Sequence, residues 1–179
     1  GNGIFGKASA GSPFMVYAYG VKQEKVHVRN YAVKAGDTLS DTWDLNDFEN
    51  GKFHLVVYGP NGFMREFIGD STGSNLKLST EYQVDKSKKA TGNLVLKVSN
   101  LSAKPIDLKI TDNAYKSAGQ STSVSASANA TLVLNLEKNF NWYDFTVVTE
   151  ENERNAIRFA GHVETGKESQ SDPYMGQVV

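Results

Sequence analysis

The sequence contains no cysteine among its 179 residues. This absence excludes a disulfide, a thiolate nucleophile and a zinc site with sulfur ligands. Apolar runs are also short, and none approaches the roughly 20 residues that a transmembrane helix needs. Neither sign of charge dominates, since 19 basic residues stand against 20 acidic ones. A net charge of −1 argues against binding nucleic acid or an anionic membrane through bulk electrostatics.

A sustained helical period is also absent, whereas alternation of every second residue is frequent. The clearest example is Gly51–Asp70, in which the alternation that begins at Phe53 is interrupted by Gly59-Pro60-Asn61-Gly62 and resumes until Gly69. These turn residues between two alternating runs predict a β-hairpin. Further strands are predicted at Phe14–Tyr19, Lys25–Val33, Thr38–Leu45, Leu76–Val84, Asn93–Ser99, Ile106–Thr111, Thr131–Leu136, Trp142–Val148 and Ile157–Val163. The Ser- and Ala-rich stretch Ser117–Asn129 suits either a loose edge strand or a loop.

A second hairpin, Asn141–Gly161, repeats the first at an offset of about 90 residues. The offset aligns the apolar residues Phe53, Leu55, Val57 and Phe67 with Tyr143, Phe145, Val147 and Phe159. At an offset of 91, an earlier strand aligns Met15, Tyr17 and Tyr19 with Ile106, Leu108 and Ile110. This interval exceeds the roughly 20–50 residues of solenoid repeats. We therefore predict an all-β chain of two tandem immunoglobulin- or fibronectin-like antiparallel β-sandwich modules.

The two copies differ at their beginnings. The second has two predicted strands before its Ile106 strand, whereas the first has only residues 1–12 before the equivalent position. We expect a first repeat at 1–74 that lacks its opening strands, a second repeat at 75–166 and an irregular tail at 167–179. Missing strands would leave an uncovered edge of unpaired backbone groups. The first three residues show no signal peptide, and we expect the chain to be part of something longer.

No pattern of catalytic or metal-binding residues stands out. His27, His54 and His162 lie far apart and have no partner at the spacing of metal ligands. The acidic residues Asp37, Asp41, Asp44 and Asp47 lack the order of an EF-hand loop. No G-x-S-x-G elbow and no glycine-rich phosphate loop before a helix occurs. We therefore expect no catalytic residue, no metal and no cofactor in this chain.

Aromatic residues suggest contact with something else. We expect Trp43, Phe53, Tyr143 and Phe145 to pack in the core, while Phe63 and Met64 at the hairpin tip could contact a partner domain. Exposed aromatic residues on a β module can also stack on sugars or enter a lipid interface.

Three motifs carry a family resemblance: YAVKAGDTLSDTWDL (Tyr31–Leu45), VYGPNGFMREFIGD (Val57–Asp70) and FAGHVETGKESQSDPYMG (Phe159–Gly176). In this order they resemble the C-terminal tandem domain of bacterial phospholipase C of the non-haemolytic type, over residues 12–176. The resemblance implies a preceding catalytic domain of the alkaline phosphatase superfamily that hydrolyses phosphodiesters such as phosphatidylcholine. It also implies export to the periplasm or beyond, commonly by a twin-arginine signal.

The implied function of this chain is accessory and not enzymatic: it would pack on the catalytic domain and help present lipid from a phospholipid surface. The candidate interaction residues lie in or beside the motifs, and they are Tyr58, Asn61, Phe63, Met64, Arg65, His162 and Glu164. For Arg65 and Glu164 we favour bridging contacts between loops or domains over direct phosphate binding. The competing function is a carbohydrate- or cell-surface-binding module of an exported protein.

Overall fold

The computed structural model describes residues 10–73 and 75–174 of the chain, and its regular structure is almost entirely β. The strands, in chain order, are β1 (Ser12–Tyr19), β2 (Val26–Val33), β3 (Phe53–Tyr58), β4 (Met64–Gly69), β5 (Leu76–Val84), β6 (Ala90–Asn100), β7 (Ile106–Asp112), β8 (Gln120–Val124), β9 (Asn129–Leu134), β10 (Trp142–Thr149) and β11 (Asn152–His162). Three single 3₁₀ turns lie at Leu45–Asp47, Glu49–Gly51 and Glu137–Asn139. The Ser- and Ala-rich stretch therefore contains both an edge strand, β8, and a turn.

The strands form two sheets. The large sheet has eight strands in the order β2-β1-β3-β4-β11-β10-β7-β8, and the small sheet has three in the order β5-β6-β9. Every strand pairing in the described residues is antiparallel. The predicted all-β, antiparallel sandwich is confirmed. The immunoglobulin- or fibronectin-like detail and the module boundaries stay predictions, because one sheet contains strands of both repeats.

The core lies between the small sheet and one half of the large sheet. We call strands β7, β8, β10 and β11 the second half, strands β1–β4 the first half, and the side that faces the small sheet the inner face. Burial alternates along β10, where Tyr143, Phe145 and Val147 point inward. They meet the small-sheet residues Leu94, Leu96 and Val98, each at most 1% exposed. Removing these side chains from water is the main stabilising contribution to the sandwich.

The two halves of the large sheet are arranged like two copies of one unit. The order β2-β1-β3-β4 is mirrored by β8-β7-β10-β11, so the hairpin β3–β4 corresponds to β10–β11. The copies meet where β4 pairs with β11, with Glu66 opposite Arg158 at the centre and Arg65 and Phe67 on either side. The small sheet has no counterpart over the first half in the described residues. One half is thus a closed sandwich and the other is not.

The structure corrects the alignment of the first strand. Val16 pairs with Val57 in the first half, and Ile110 pairs with Val147 in the second. Val16 therefore corresponds to Ile110, and Met15 corresponds to Lys109. The predicted match of Met15, Tyr17 and Tyr19 with Ile106, Leu108 and Ile110 is wrong, because it places residues on opposite faces of the sheet. A slip of one residue reverses the direction of every side chain on a strand.

The predicted strand Thr38–Leu45 is also wrong. This stretch is an irregular connection that ends in the two 3₁₀ turns before β3. Asp41 and Asp44 accept hydrogen bonds from the backbone N–H groups of Thr42 and Asn46, which competes with strand pairing. Trp43 packs under the guanidinium of Arg29 at 3.7 Å, and nearby Phe48 is only 1% exposed. The connection thus covers the β2 side of the first half.

Asp41 anchors this connection to β2. Its carboxylate accepts hydrogen bonds from the hydroxyl of Tyr31, from Arg29 Nη1 at 2.7 Å and from the amide of Thr42 at 2.7 Å. These bonds, that of Tyr31 above all, lower the pKa of Asp41 from 3.8 to about 2. Because the pKa is lower in the folded state, the contribution of Asp41 to stability is fully present above pH 3.8. That contribution is lost as the pH falls toward 2.

We predict that Asp41→Asn lowers the melting temperature at pH 5 and that this difference shrinks as the pH falls from about 4 to about 2. Thermal unfolding followed by circular dichroism at several pH values measures the effect. Asp37→Asn is the control, because the carboxylate of Asp37 makes no hydrogen bond within the described residues. If the melting temperature of Asp41→Asn stays below that of the unchanged chain by a constant amount across this pH range, the lowered pKa of Asp41 is contradicted.

Candidate functional site

A cleft of about 520 Å³ opens on the inner face beside the tip of the β3–β4 hairpin. Its walls come from the start of β1, the turn after β2, the hairpin tip and the end of β11. Four of the seven predicted interaction residues line it, namely Asn61, Phe63, His162 and Glu164. Arg65 borders the cleft through contacts with Phe63 and Tyr143. Tyr58 and Met64 lie on the opposite side of the sheet, because successive strand residues alternate in direction.

The hairpin tip has a defined conformation. Asn61 and Gly62 adopt positive φ values of 56° and 71°, and the amide of Phe63 donates to the carbonyl of Pro60 at 3.1 Å. The ring of Phe63 meets that of Phe14 edge to face, with centroids 5.6 Å apart. A Cβ at Gly59 would lie 2.7 Å from the ring of Phe14, so any other residue there would force that ring to shift. The tip thus packs against β1.

Arg65 connects four elements through its guanidinium. Its Nη1 donates to the carbonyls of Met64 at 2.7 Å and Ala160 at 2.9 Å. Its Nη2 donates to Thr80 Oγ1 at 3.0 Å and to the hydroxyl of Tyr143 at 3.2 Å. The guanidinium also lies over the rings of Phe63 and Phe159, at 4.3 and 4.9 Å. These neutral groups occupy all four Nη hydrogens, which leaves only Nε for an outside ligand.

His162 is tied to the end of the same sheet. It is 6% exposed, its Nε2 lies 3.1 Å from the carbonyl of Phe140, and its Nδ1 lies 3.1 Å from Glu164 Oε1. Both oxygens are acceptors, so the ring donates to both when it carries a proton on each nitrogen. Trp142 packs beside the ring at 4.6 Å and donates through Nε1 to the carbonyl of Gln170. The tail is thereby fixed to β10.

Tyr82 of β5 also lines the cleft, and a specific bond holds it there. The Tyr82 hydroxyl donates to the carbonyl of His162 at 3.1 Å, which joins β5 of the small sheet to the end of β11. Burial raises the pKa of Tyr82 and keeps this hydroxyl a donor. Four polar side chains of the cleft, Tyr82, Tyr143, His162 and Glu164, are therefore engaged in contacts within the chain.

The outer face of the first half is different in character. Large apolar side chains cover it without an overlying element in the described residues, and we call Met15, Tyr17, Val26, Val28, Tyr58 and Ile68 the outer apolar patch. Met15 and Tyr58 are each 44% exposed, and Val28 is 42% exposed. Tyr17 and Tyr58 meet edge to face at 5.8 Å. The predicted residue Met64 lies next to Tyr58 on this face.

The same face of the second half is polar. Its outward residues are mostly hydrophilic, and they include Asp107, Lys109, Thr111, Ser121, Ser123, Asp144 and Thr146. A row of ionisable side chains marks the boundary between the halves. His54 Nε2 lies 2.6 Å from Glu66 Oε1, and Arg158 makes a two-pronged contact with Asp144 at 2.5 and 2.7 Å. The bond to Asp144 raises the pKa of Arg158.

Some residues of these surfaces were not predicted as interaction residues. Thr80, Tyr82 and Tyr17 gave no motif, and only the fold brings Thr80 and Tyr82 beside the cleft.

Within 10–73 and 75–174 the structure contains no group of three or more His, Cys, Asp or Glu residues that could hold a metal ion. The same residues contain no helix long and apolar enough to cross a membrane.

A comparison with protein families matches residues 2–70 and 76–162 to the model described as "Bacterial phospholipase C, C-terminal domain". The chain belongs to this family. The predicted resemblance is thereby confirmed, and the two matched stretches together include most of the chain.

Individual relatives agree with the family match. The hemolytic phospholipase C of Pseudomonas aeruginosa is 35% identical over 168 residues, which is 90% of this chain and 22% of that protein. The non-hemolytic phospholipase C of Burkholderia pseudomallei is 37% identical over 145 residues, which is 80% of this chain and 20% of that protein. A non-hemolytic phospholipase C of P. aeruginosa is 31% identical over 83% of this chain and 22% of its own length. This phospholipase C C-terminal region therefore spans about a fifth of the length of these relatives.

The position of Arg65 generates a prediction about stability. We expect Arg65→Lys to lower the free energy of unfolding by about 1–3 kcal/mol, because an ammonium cannot reproduce the fork of bonds to Ala160, Thr80 and Tyr143. A double-mutant cycle with Thr80→Val should give a coupling energy of about 0.5–1.5 kcal/mol across the two sheets. Urea unfolding measures both values.

Thr111→Val is the matched control for Thr80→Val, because Thr111 is exposed on the outer face of β7. Its cycle with Arg65→Lys should give no coupling. Equal coupling energies in the two cycles, or none in either, would contradict a bond between the sheets.

Proposed function

We propose that this chain is a non-catalytic accessory region of a bacterial phospholipase C. It packs on an alkaline-phosphatase-like phosphodiesterase domain of the same polypeptide and helps to present phospholipid to that domain. The parent enzyme is exported, to the periplasm or to the outside of the cell.

The engagement of Arg65, His162 and Glu164 in contacts within the chain carries this proposal. Arg65 directs its Nη hydrogens at carbonyl and hydroxyl oxygens of the region itself. His162 and Glu164 face each other, so the pair already satisfies part of its hydrogen-bonding capacity. Hydrolysis of a phosphodiester needs a positioned nucleophile and groups that stabilise developing negative charge. Residues that hold two sheets together suit a structural role better than a catalytic one.

The lengths of the relatives support the same proposal. Proteins named phospholipase C match this chain over only 20–22% of their own length, and the family is described as their C-terminal domain. Most of each relative therefore lies outside the matched region, with ample length for a catalytic domain.

Binding of carbohydrate or of a cell surface is the competing function, and three tyrosines on the outer face favour it. Tyr17, Tyr19 and Tyr58 all point outward from the first half. However, Tyr17 and Tyr58 are inclined at 82° to each other, and the ring of Tyr19 packs at a tilt of 33° against that of His54, with centroids 4.9 Å apart. The cross-strand partners of Tyr17 and Tyr19 are the aliphatic residues Val28 and Val26, where a sugar would need hydrogen-bonding groups. The arrangement suits an apolar protein contact better than a sugar platform.

We predict that the purified chain does not hydrolyse a chromogenic choline phosphodiester, with Zn²⁺ or with Ca²⁺ added. Absorbance of the released chromophore measures turnover. A rate that rises in proportion to the protein concentration and disappears with a chelator would contradict the non-catalytic assignment.

The presentation role is tested in a complete phospholipase C that carries this region. Deleting the region should lower hydrolysis of phosphatidylcholine in vesicles by about tenfold or more, while hydrolysis of the soluble phosphodiester changes little, since only the former needs substrate delivery. Equal loss on both substrates would contradict a role in presentation, because it would indicate damage to the catalytic domain itself.

A further inference from the structure

We infer that the outer apolar patch of the first half is the surface on which this region docks to a folded domain that precedes it in the same polypeptide. The inference rests on the proposed function and adds the face and the chemical character of the contact. The partner surface is apolar at its centre and carries polar groups at its rim.

The contrast between the two halves is the first argument. The halves share one sheet and corresponding strands, yet Met15 of the first half corresponds to Lys109 of the second, and both are exposed. Tyr17 corresponds in the same way to Thr111. A requirement of the fold would act on both halves alike. The apolar character of one half therefore reflects a contact that the other half does not make.

The size of the patch is the second argument. Five of its six side chains, Met15, Val26, Val28, Tyr58 and Ile68, are 38–44% exposed. Together they present on the order of 400 Å² of apolar surface, which is within the range of the largest patches on single proteins. Contacts between domains of one chain bury about 600–1,500 Å² in total and are more polar than obligate interfaces. The patch together with the row of His54, Glu66 and Arg158 beside it suits such a contact.

The charge around the patch argues against a membrane as the partner. The six residues that define it include no lysine or arginine, and the charges at its boundary are paired across strands. Surfaces that bind anionic lipid combine apolar anchors with clustered basic side chains. All six residues of the patch also lie within strands of the sheet and none lies on a projecting loop. A folded protein domain fits this surface better.

The chain outside this region supplies the partner. In the relatives about four fifths of the polypeptide lies outside the matched region. The patch includes Met15 and Tyr17 of β1, the first strand of the described residues, and it does not extend to the second half. A domain tethered in front of β1 is present at a high effective concentration beside this face.

The absence of cysteine gives a direct test by thiol labelling. Met15→Cys places a thiol in the patch, and Lys109→Cys places one at the corresponding position of the second half. Each is made in this chain and in a complete phospholipase C that contains this region after its catalytic domain. Labelling by a maleimide is read from the mass of the peptide that carries the position. Val28→Cys is a second patch position in case Met15→Cys does not fold.

We expect position 15 to be labelled about tenfold or more slowly in the complete enzyme than in this chain, because a buried contact must open before the thiol reacts. Position 109 should be labelled at the same rate in both. Protection of both positions would overturn the inference, since it assigns the contact to only one half. If position 15 is protected already in the isolated chain, and more so at higher protein concentration, the patch binds a second copy of the chain and the inference is overturned. Protection that needs phosphatidylcholine vesicles would overturn it in favour of a membrane.

Thermal unfolding of the complete enzyme separates failure of the inference from failure of the proposed function. A single transition shared by the catalytic domain and this region would show that the two pack on each other. If position 15 is unprotected in that case, the packing of the proposed function stands, but the outer apolar patch is not the docking surface. Independent transitions with position 15 unprotected would overturn both.

Discussion

The pairing of β4 with β11 is the constraint on which the rest of the structure depends. It joins strands about 90 residues apart in sequence and makes one eight-stranded sheet from two repeated units. Arg65 reinforces the pairing from the inner face by bonding to the carbonyl of Ala160, while Glu66 and Arg158 face each other on the outer face. Without this pairing the first half would be a four-stranded sheet with no sandwich of its own.

The pairing gives the two faces of the sheet different roles. On the inner face, the small sheet covers the second half, and the 34–51 connection covers part of the first. The cleft lies near the join, where Arg65, Tyr82 and His162 use their polar atoms to connect the elements around it. On the outer face the apolar side chains of the first half have no such cover in the described residues. We therefore relate the function of the region to contact and not to chemistry within the chain.

Local patterns in the sequence predicted most of the strands but not their arrangement. The β3–β4 hairpin was predictable because Asn61 and Gly62 favour the positive φ values that its turn needs. Thr38–Leu45 was mispredicted because the side chains of Asp41 and Asp44 bond to nearby backbone groups instead of permitting a strand. The register of β1 was missed because both of its faces are apolar, so hydrophobic similarity does not reveal which residues point inward. The bond of Arg65 to Thr80 depends on packing between sheets and leaves no local signal.

Native-state amide hydrogen exchange tests the central claim most directly. If β4 and β11 form one ladder that joins the halves, the paired amides of Met64–Ile68 and of Ala156–Ala160 should exchange with similar protection. That protection should approach the level set by global unfolding of the chain. The contrary result would be fast exchange along β4 while the amides of β11 that face β10 stay protected, since the two halves would then open independently.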